Sequence, residues 1–298
     1  MGGAKVVAAA VALAALAACG GRTDGPQPIR VGSKNFTEQV VLGEIVAQQL
    51  ERRLGRPVER RLNLGGTLLA HQALVNGSID LYPEYTGTAL TAVLNLQSES
   101  NEPAAALARV REEYRRRFQI EWRDPLGINN GFAMVVTGAA ARSRQVKTLT
   151  QAAAAAGGWV LGAGYEFEQR PDGLAALDRA YGFRWTSPPR SMDLGLLYRA
   201  LEQGQVSMIA ANATDGLLTG ADLTILDDDR RAFPPYEVCL AVREETLREV
   251  PGLADALQEL SGRFTNEAMR RLNYKADVEH QSIPEIAATF LRDLAVTP

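Results

Sequence analysis

Side chains able to do acid–base, nucleophilic or metal chemistry are few and scattered in this chain. His71 and His280 are its only histidines and neither sits in a metal-ligand pair. No Gly-x-Ser-x-Gly elbow, His-Glu-x-x-His motif or phosphate-loop glycine pattern occurs. The chain therefore reads as a non-enzyme with no cofactor and no metal, and a hydrolase is the weakest alternative. Gly65-Gly66 ahead of a helix start offers backbone N–H groups to an anion, but two glycines are a weak signal. The residues left with something to do are charges and rings. Of 32 basic residues only Lys5, Lys34, Lys147 and Lys275 are lysines. Taken alone, Tyr85 and Tyr236 read as core or rim aromatics and Lys34 as a solvated or structural charge. Arg170 could be tied up locally by Asp172, two residues on.

These side chains must be positioned by a sizeable fold. At 298 residues the chain is long for one hydrophobic core, so two α/β lobes or one large α/β domain are the leading expectations. A composition of 46% hydrophobic and 22% charged residues is that of a folded globular chain, and a net charge of -3 supplies no polycationic surface for nucleic acid. Lys5 followed by an apolar run from Val6 to Ala18 has the length of a signal-peptide core, too short for a comfortable bilayer span. Leu16-Ala17-Ala18-Cys19 resembles the lipobox of bacterial lipoproteins. The expected organisation is a signal peptide over 1–18, lipidation of Cys19, a tether over 19–28, and an exported chain anchored at the periplasmic or outer face of the cytoplasmic membrane. Cys239 then has no disulfide partner, and Val238, Leu240 and Val242 around it predict a buried core strand.

From Ile29 the pattern alternates between β-like runs and helical periodicity, as parallel sheets with crossover helices require. Ile29 to Gly32 is a strand. Thr37 is placed to cap a helix with apolar positions Val40, Val41, Ile45, Leu50 and Leu54, stopped by Gly55 and Pro57. Val58 to Leu64 is a second strand, a helix runs from Thr67 to about Asn76, and Ile79 to Tyr82 is a third strand ended by Pro83. A second unit has strands at Trp159–Ala163 and Val206–Ala211, with helices at Gly173–Tyr181 and Asp193–Glu202. Past Pro234-Pro235 come a strand at Val238–Val242 and helices over Leu253–Leu260, Asn266–Arg271 and Pro284–Val296, the last able to return onto the first lobe.

Three stretches carry a family likeness: Gly32-Ser33-Lys34-Asn35-Phe36-Thr37-Glu38-Gln39, Asp80-Leu81-Tyr82-Pro83-Glu84-Tyr85-Thr86-Gly87-Thr88 and Arg170-Pro171-Asp172-Gly173. With Asp124 to Asn130, Thr214-Asp215-Gly216 and Phe233-Pro234-Pro235-Tyr236 they resemble, in order along nearly the whole mature chain, the glycine betaine, carnitine and choline-binding proteins of osmoprotectant ABC transporters. The resemblance implies a two-lobed type II periplasmic-binding-protein fold of the α/β class, with the ligand cleft between lobes. Lobe one would hold 29–127 plus 233–298 and lobe two 128–232. It also implies an extracytoplasmic solute-binding subunit, monomeric, working with ABC permease and ATPase subunits. An exported sensor or scavenger of another small zwitterion is the alternative.

In that family a quaternary ammonium sits among aromatic rings, because it has no N–H to donate and is attracted by ring faces at roughly 0.5 to 2 kcal/mol each. By resemblance the box falls on Tyr85, Phe132, Asn212 and Tyr236. Phe132 keeps the π face, whereas Asn212 leaves a gap: either another ring such as Tyr165, Phe167 or Tyr82 fills it, or the ligand is bulkier, less methylated or bound more weakly. Lys34, Thr88 and Arg170 match positions that hold the ligand carboxylate, and Asn130 is counted with the ligand-binding residues. Glu84 and Glu237 are possible counter-charges near the cation. Two cations with two or three rings suit a zwitterion better than bare choline, while betaine, carnitine, choline, proline betaine, ergothioneine-like betaines and a nonmethylated zwitterion all fit the named residues.

Overall fold

A computed structural model describes residues 27–96, 102–219 and 222–296, so the signal peptide, Cys19 and most of the tether lie outside the described residues. The chain opens with β1 (Ile29–Gly32), α1 (Thr37–Leu54), β2 (Val58–Arg61), α2 (Thr67–Val75) and β3 (Leu81–Tyr85). This is the expected βαβαβ unit, with β1 parallel to both β2 and β3. Gly55 ends α1 in the left-handed region at φ 62, where its N–H donates to the Glu51 carbonyl. The cap at the other end differs from expectation. The N-cap position is Phe36, and Thr37 is the first helical residue, its hydroxyl bonded to Asp277 Oδ1 at 2.6 Å.

Pro83 does not end β3, and the ladder shows why. The bonds from Arg243 N to Asp80 O and from Thr86 N to Glu237 O make the even-numbered residues of β3 the ones that pair with the later strand. The nitrogen of Pro83 therefore points the other way, toward the side where β1 has already stopped at Gly32, and no ladder bond is lost.

After a helix at Pro103–Phe118 and β4 (Ile120–Trp122), the chain crosses to a second sheet. That sheet contains β5 (Phe132–Thr137), β6 (Leu161–Ala163), β7 (Arg190–Ser191), β8 (Met208–Asn212) and β9 (Leu223–Ile225), in the order β7-β6-β8-β5-β9. The chain then returns as β10 (Val238–Arg243), which inserts antiparallel between β3 and β4 to give β2-β1-β3-β10-β4. The two crossing segments run side by side, joined by Asn130 N to Tyr236 O at 3.1 Å and Val238 N to Ile128 O at 3.0 Å. This is the two-lobed α/β arrangement that the resemblance implies.

Cys239 lies in β10 with no exposed surface, and burial pushes its thiol well above the usual range. The last helix, Ile283–Val296, packs on α1, with Arg52 Nη1 on the Leu291 carbonyl at 3.0 Å and Gln48 Nε2 on that of Pro284 at 2.9 Å.

Candidate ligand site

A cavity of about 510 Å³ lies between the two sheets, and all eight residues expected to bind ligand line it: Lys34, Tyr85, Thr88, Asn130, Phe132, Arg170, Asn212 and Tyr236. The topology brings them together. Tyr85 and Asn212 are the last residues of β3 and β8, and Phe132 opens β5 directly across from Asn212. Lys34 follows β1, and Asn130 and Tyr236 sit in the paired crossing segments. In α/β sheets a crevice outside the carboxyl ends of strands is where loops can converge without breaking a ladder.

Each cation arrives with a carboxylate already attached. Lys34 Nζ is 2.5 Å from Glu84 Oε1 and 3.2 Å from Thr67 Oγ1, and lies over the Tyr85 ring at 4.8 Å from its centroid. Glu84 is fully buried, its other oxygen accepting from Tyr82 Oη at 2.7 Å. It is off the cavity wall, so it serves Lys34 and is not the counter-charge expected beside the ligand; Glu237 is off the wall as well. Arg170 forms a two-pronged pair with Asp172, Nε to Oδ1 at 2.9 Å and Nη2 to Oδ2 at 2.5 Å, and also reaches Thr88 Oγ1 at 3.1 Å. The local pair foreseen in Arg170-Pro171-Asp172 is present. Burial would push the Asp172 carboxyl up, but the bonds and charge of Arg170 hold it below the usual carboxylate range.

The rings on the cavity fall into two groups. Phe132 meets Tyr236 at 5.7 Å between centroids and Phe167 at 4.8 Å, both edge-on, while Phe36 stacks on Tyr85 at 6.2 Å. Of the three candidates for the gap at Asn212, Phe167 and Tyr165 line the cavity, whereas Tyr82 is in the core behind Glu84. Asn212 itself turns its amide to Asp215 Oδ1 at 3.4 Å.

Two acids were not foreseen as site residues. Glu38, in the first turn of α1, is buried and accepts from Tyr85 Oη at 2.7 Å, Asn130 Nδ2 at 2.8 Å and the Thr214 hydroxyl. No cation contacts it among the described residues, and burial raises its carboxyl above the usual range despite those three bonds. The Asn130 side chain is thus committed to a network that ties α1, β3 and the stretch after β8 together; its Oδ1 accepts from Thr214 N at 3.2 Å. Glu166, from the helix Tyr165–Gln169, reaches across the cleft so that its Oε1 accepts from Thr67 N at 2.9 Å. The helix start behind Gly65-Gly66, a weak signal in the sequence, does receive an anion, and it is a side chain of the same protein. A Cβ on Gly66 would stand 2.7 Å from that oxygen, so a side chain there would push the Glu166 carboxylate aside.

The Tyr85 and Tyr236 phenols are pushed up by burial and then by the carboxylates they contact, Glu38 and Asp172, the latter at 2.6 Å from Tyr236 Oη. His71 is packed edge-on against Tyr114 and Phe118 and lowered by burial. No group of His, Cys, Asp and Glu among the described residues is placed to hold a metal, and no described helix is long and apolar enough to cross a membrane.

A family model for the substrate binding domain of ABC-type glycine betaine transport systems matches residues 27–293. The chain belongs to that family. It is 33% identical over 277 residues to a glycine-betaine-binding protein of Pseudomonas aeruginosa, covering 90% of this chain and 88% of that one. It is 30% identical over 271 residues to an ergothioneine transport permease/ergothioneine binding protein of Helicobacter pylori, covering 91% of this chain but only 48% of the relative. A crystal structure of a glycine betaine/carnitine/choline ABC transporter superposes with a TM-score of 0.75 at 27% identity, over 89% of this chain and 98% of that one. The family is one of transporter substrate-binding proteins, and the fold is its two-lobed type II form.

Proposed function

We propose that this chain is the extracytoplasmic substrate-binding subunit of an ABC importer and that it holds a quaternary-ammonium osmoprotectant of the betaine and choline class against Tyr85, Phe132, Phe167 and Tyr236. The observation that carries the reading is the ring wall on a cavity of about 510 Å³ shared by both lobes. A trimethylammonium has no N–H for the carboxylates to accept, so several ring faces are its strongest source of selective attraction. Phe167 supplies the face that Asn212 lacks. Lobe one would comprise 29–127 with 233–298 and lobe two 128–232, hinged at the paired crossing segments, with permease and ATPase subunits as partners and the protein itself a monomer. Anchoring through a lipidated Cys19 rests on Leu16-Ala17-Ala18-Cys19; intact mass of the protein from its native host should show the diacylglyceryl adduct, and an unmodified thiol would refute it.

Calorimetric titration with glycine betaine, carnitine and choline tests the ligand class. Tyr85→Ala and Tyr236→Ala should each weaken binding by about 1 to 2 kcal/mol. Binding that is indifferent to both would refute the ring site even if the protein proved to be a transporter subunit.

A further inference from the structure

The cationic end of the cavity contains one carboxylate more than its pairs require. Lys34 is matched by Glu84 and Arg170 by Asp172, each at 2.5 Å. Glu166 is the third acid, and unlike the other two it belongs to the cavity wall. Its Oε1 accepts from Thr67 N at 2.9 Å and its Oε2 lies 3.4 Å from Thr67 Oγ1 and 3.6 Å from Arg170 Nη1. Thr67 Oγ1 in turn lies 3.2 Å from Lys34 Nζ. The carboxylate thus sits at the start of the nine-residue α2, where free N–H groups and the helix dipole favour an anion, flanked by both cavity cations. Those are the partners a ligand carboxylate would seek.

We infer that Glu166 is a specificity-determining residue that acts as a built-in anion at the cationic end of the cleft and makes it select a singly positive ligand such as choline over a zwitterion such as glycine betaine. The inference rests on the quaternary-ammonium reading above and deepens it. A betaine closing into this cleft must place its carboxylate beside Glu166 or displace it from Thr67, whereas a cation without a carboxylate leaves the Glu166 contacts intact and is attracted by the surplus charge. Because each of the two cations already has an acid, their presence alone does not call for a zwitterion.

The test is titration of wild type, Glu166→Gln and Glu166→Ala with choline and glycine betaine at low ionic strength. Glutamine keeps a carbonyl for Thr67 N, removes the charge and puts an NH2 donor in place of Oε2. Glu166 is half-exposed, with 47% of its side chain accessible, so neither variant should lose the fold. Wild type should bind choline the tighter, and Glu166→Gln should shift the ratio of the two dissociation constants about tenfold toward glycine betaine. Glu166→Ala, which also clears the space, should shift it in the same direction. A ratio that neither variant moves, or a wild type that prefers glycine betaine, overturns the assignment while leaving the quaternary-ammonium reading intact. Wild type that binds neither compound overturns this inference, and one that fails to bind carnitine as well overturns that reading with it.

Discussion

Two cation–carboxylate pairs of equal contact length, 2.5 Å, flank the cavity, and they are built in opposite ways. Lys34 and Glu84 are 50 residues apart in sequence, come from different strand ends, and are 3% and 0% exposed. Arg170 and Asp172 are two residues apart on one turn, with Arg170 at 11%. An ammonium is a point charge largely used up by Glu84 and Thr67, whereas a guanidinium has five donors in a fixed fork. Nε and Nη2 of Arg170 are bound to Asp172 and Thr88, while among the described residues Nη1 has the longer contact to Glu166. The Lys34 pair therefore works as part of the core, and the Arg170 pair keeps donor capacity for the cleft.

Removing one member of each pair should separate the two roles. Glu84→Ala leaves the buried Lys34 charge without its carboxylate and should destabilise the fold by about 3 to 5 kcal/mol in urea unfolding, with much of the loss recovered when Lys34→Met is added. Asp172→Asn keeps shape and a hydrogen-bonding oxygen, so it should cost less, about 1 to 3 kcal/mol, and should mainly alter ligand binding. Equal losses would break the distinction.

A sharper contrast comes from pH. Asp172 is held low by Arg170, so its contribution is present above its ordinary carboxylate range and is lost as pH falls through the depressed native value. No cation contacts Glu38 among the described residues and burial raises its carboxyl, so its contribution is present at low pH and is lost as pH rises through the raised native value. Glu38→Gln should therefore raise the melting temperature at pH 8 and do so less at pH 4, a trend opposite to that of Asp172→Asn. A pH-independent difference for Glu38→Gln would show that its carboxyl is not strained by burial.

The smallest effect concerns the ring wall. Asn212→Tyr adds a face opposite Phe132 and should tighten a trimethylammonium ligand by about two- to fivefold in calorimetry. A larger gain would mean that the existing rings contribute less than their geometry implies.

Local order was readable because its causes are local. Gly55 stopped α1, the leading βαβαβ rhythm followed from alternating periodicities, and Arg170-Pro171-Asp172 announced its own pair. Resemblance supplied the eight cavity residues that spacing alone could not group. Failures occurred where a neighbour decided the matter. Pro83 would end a strand flanked on both sides, but β1 stops before it. Phe132 to Thr137 is a short apolar run of no decisive period, and it became β5 only through β8 and β9. Glu84 read as a possible ligand counter-charge until the fold set it against Lys34.

By itself the sequence determined the α/β class, the order of the leading elements and the supply of rings and cations, since propensity, periodicity and turn chemistry act within a few residues. Only the tertiary structure decided which charges remain for a ligand. Glu38 meets Thr214 across 176 residues and Glu166 meets Thr67 across 99, and such contacts exist only once two lobes have approached along the cleft.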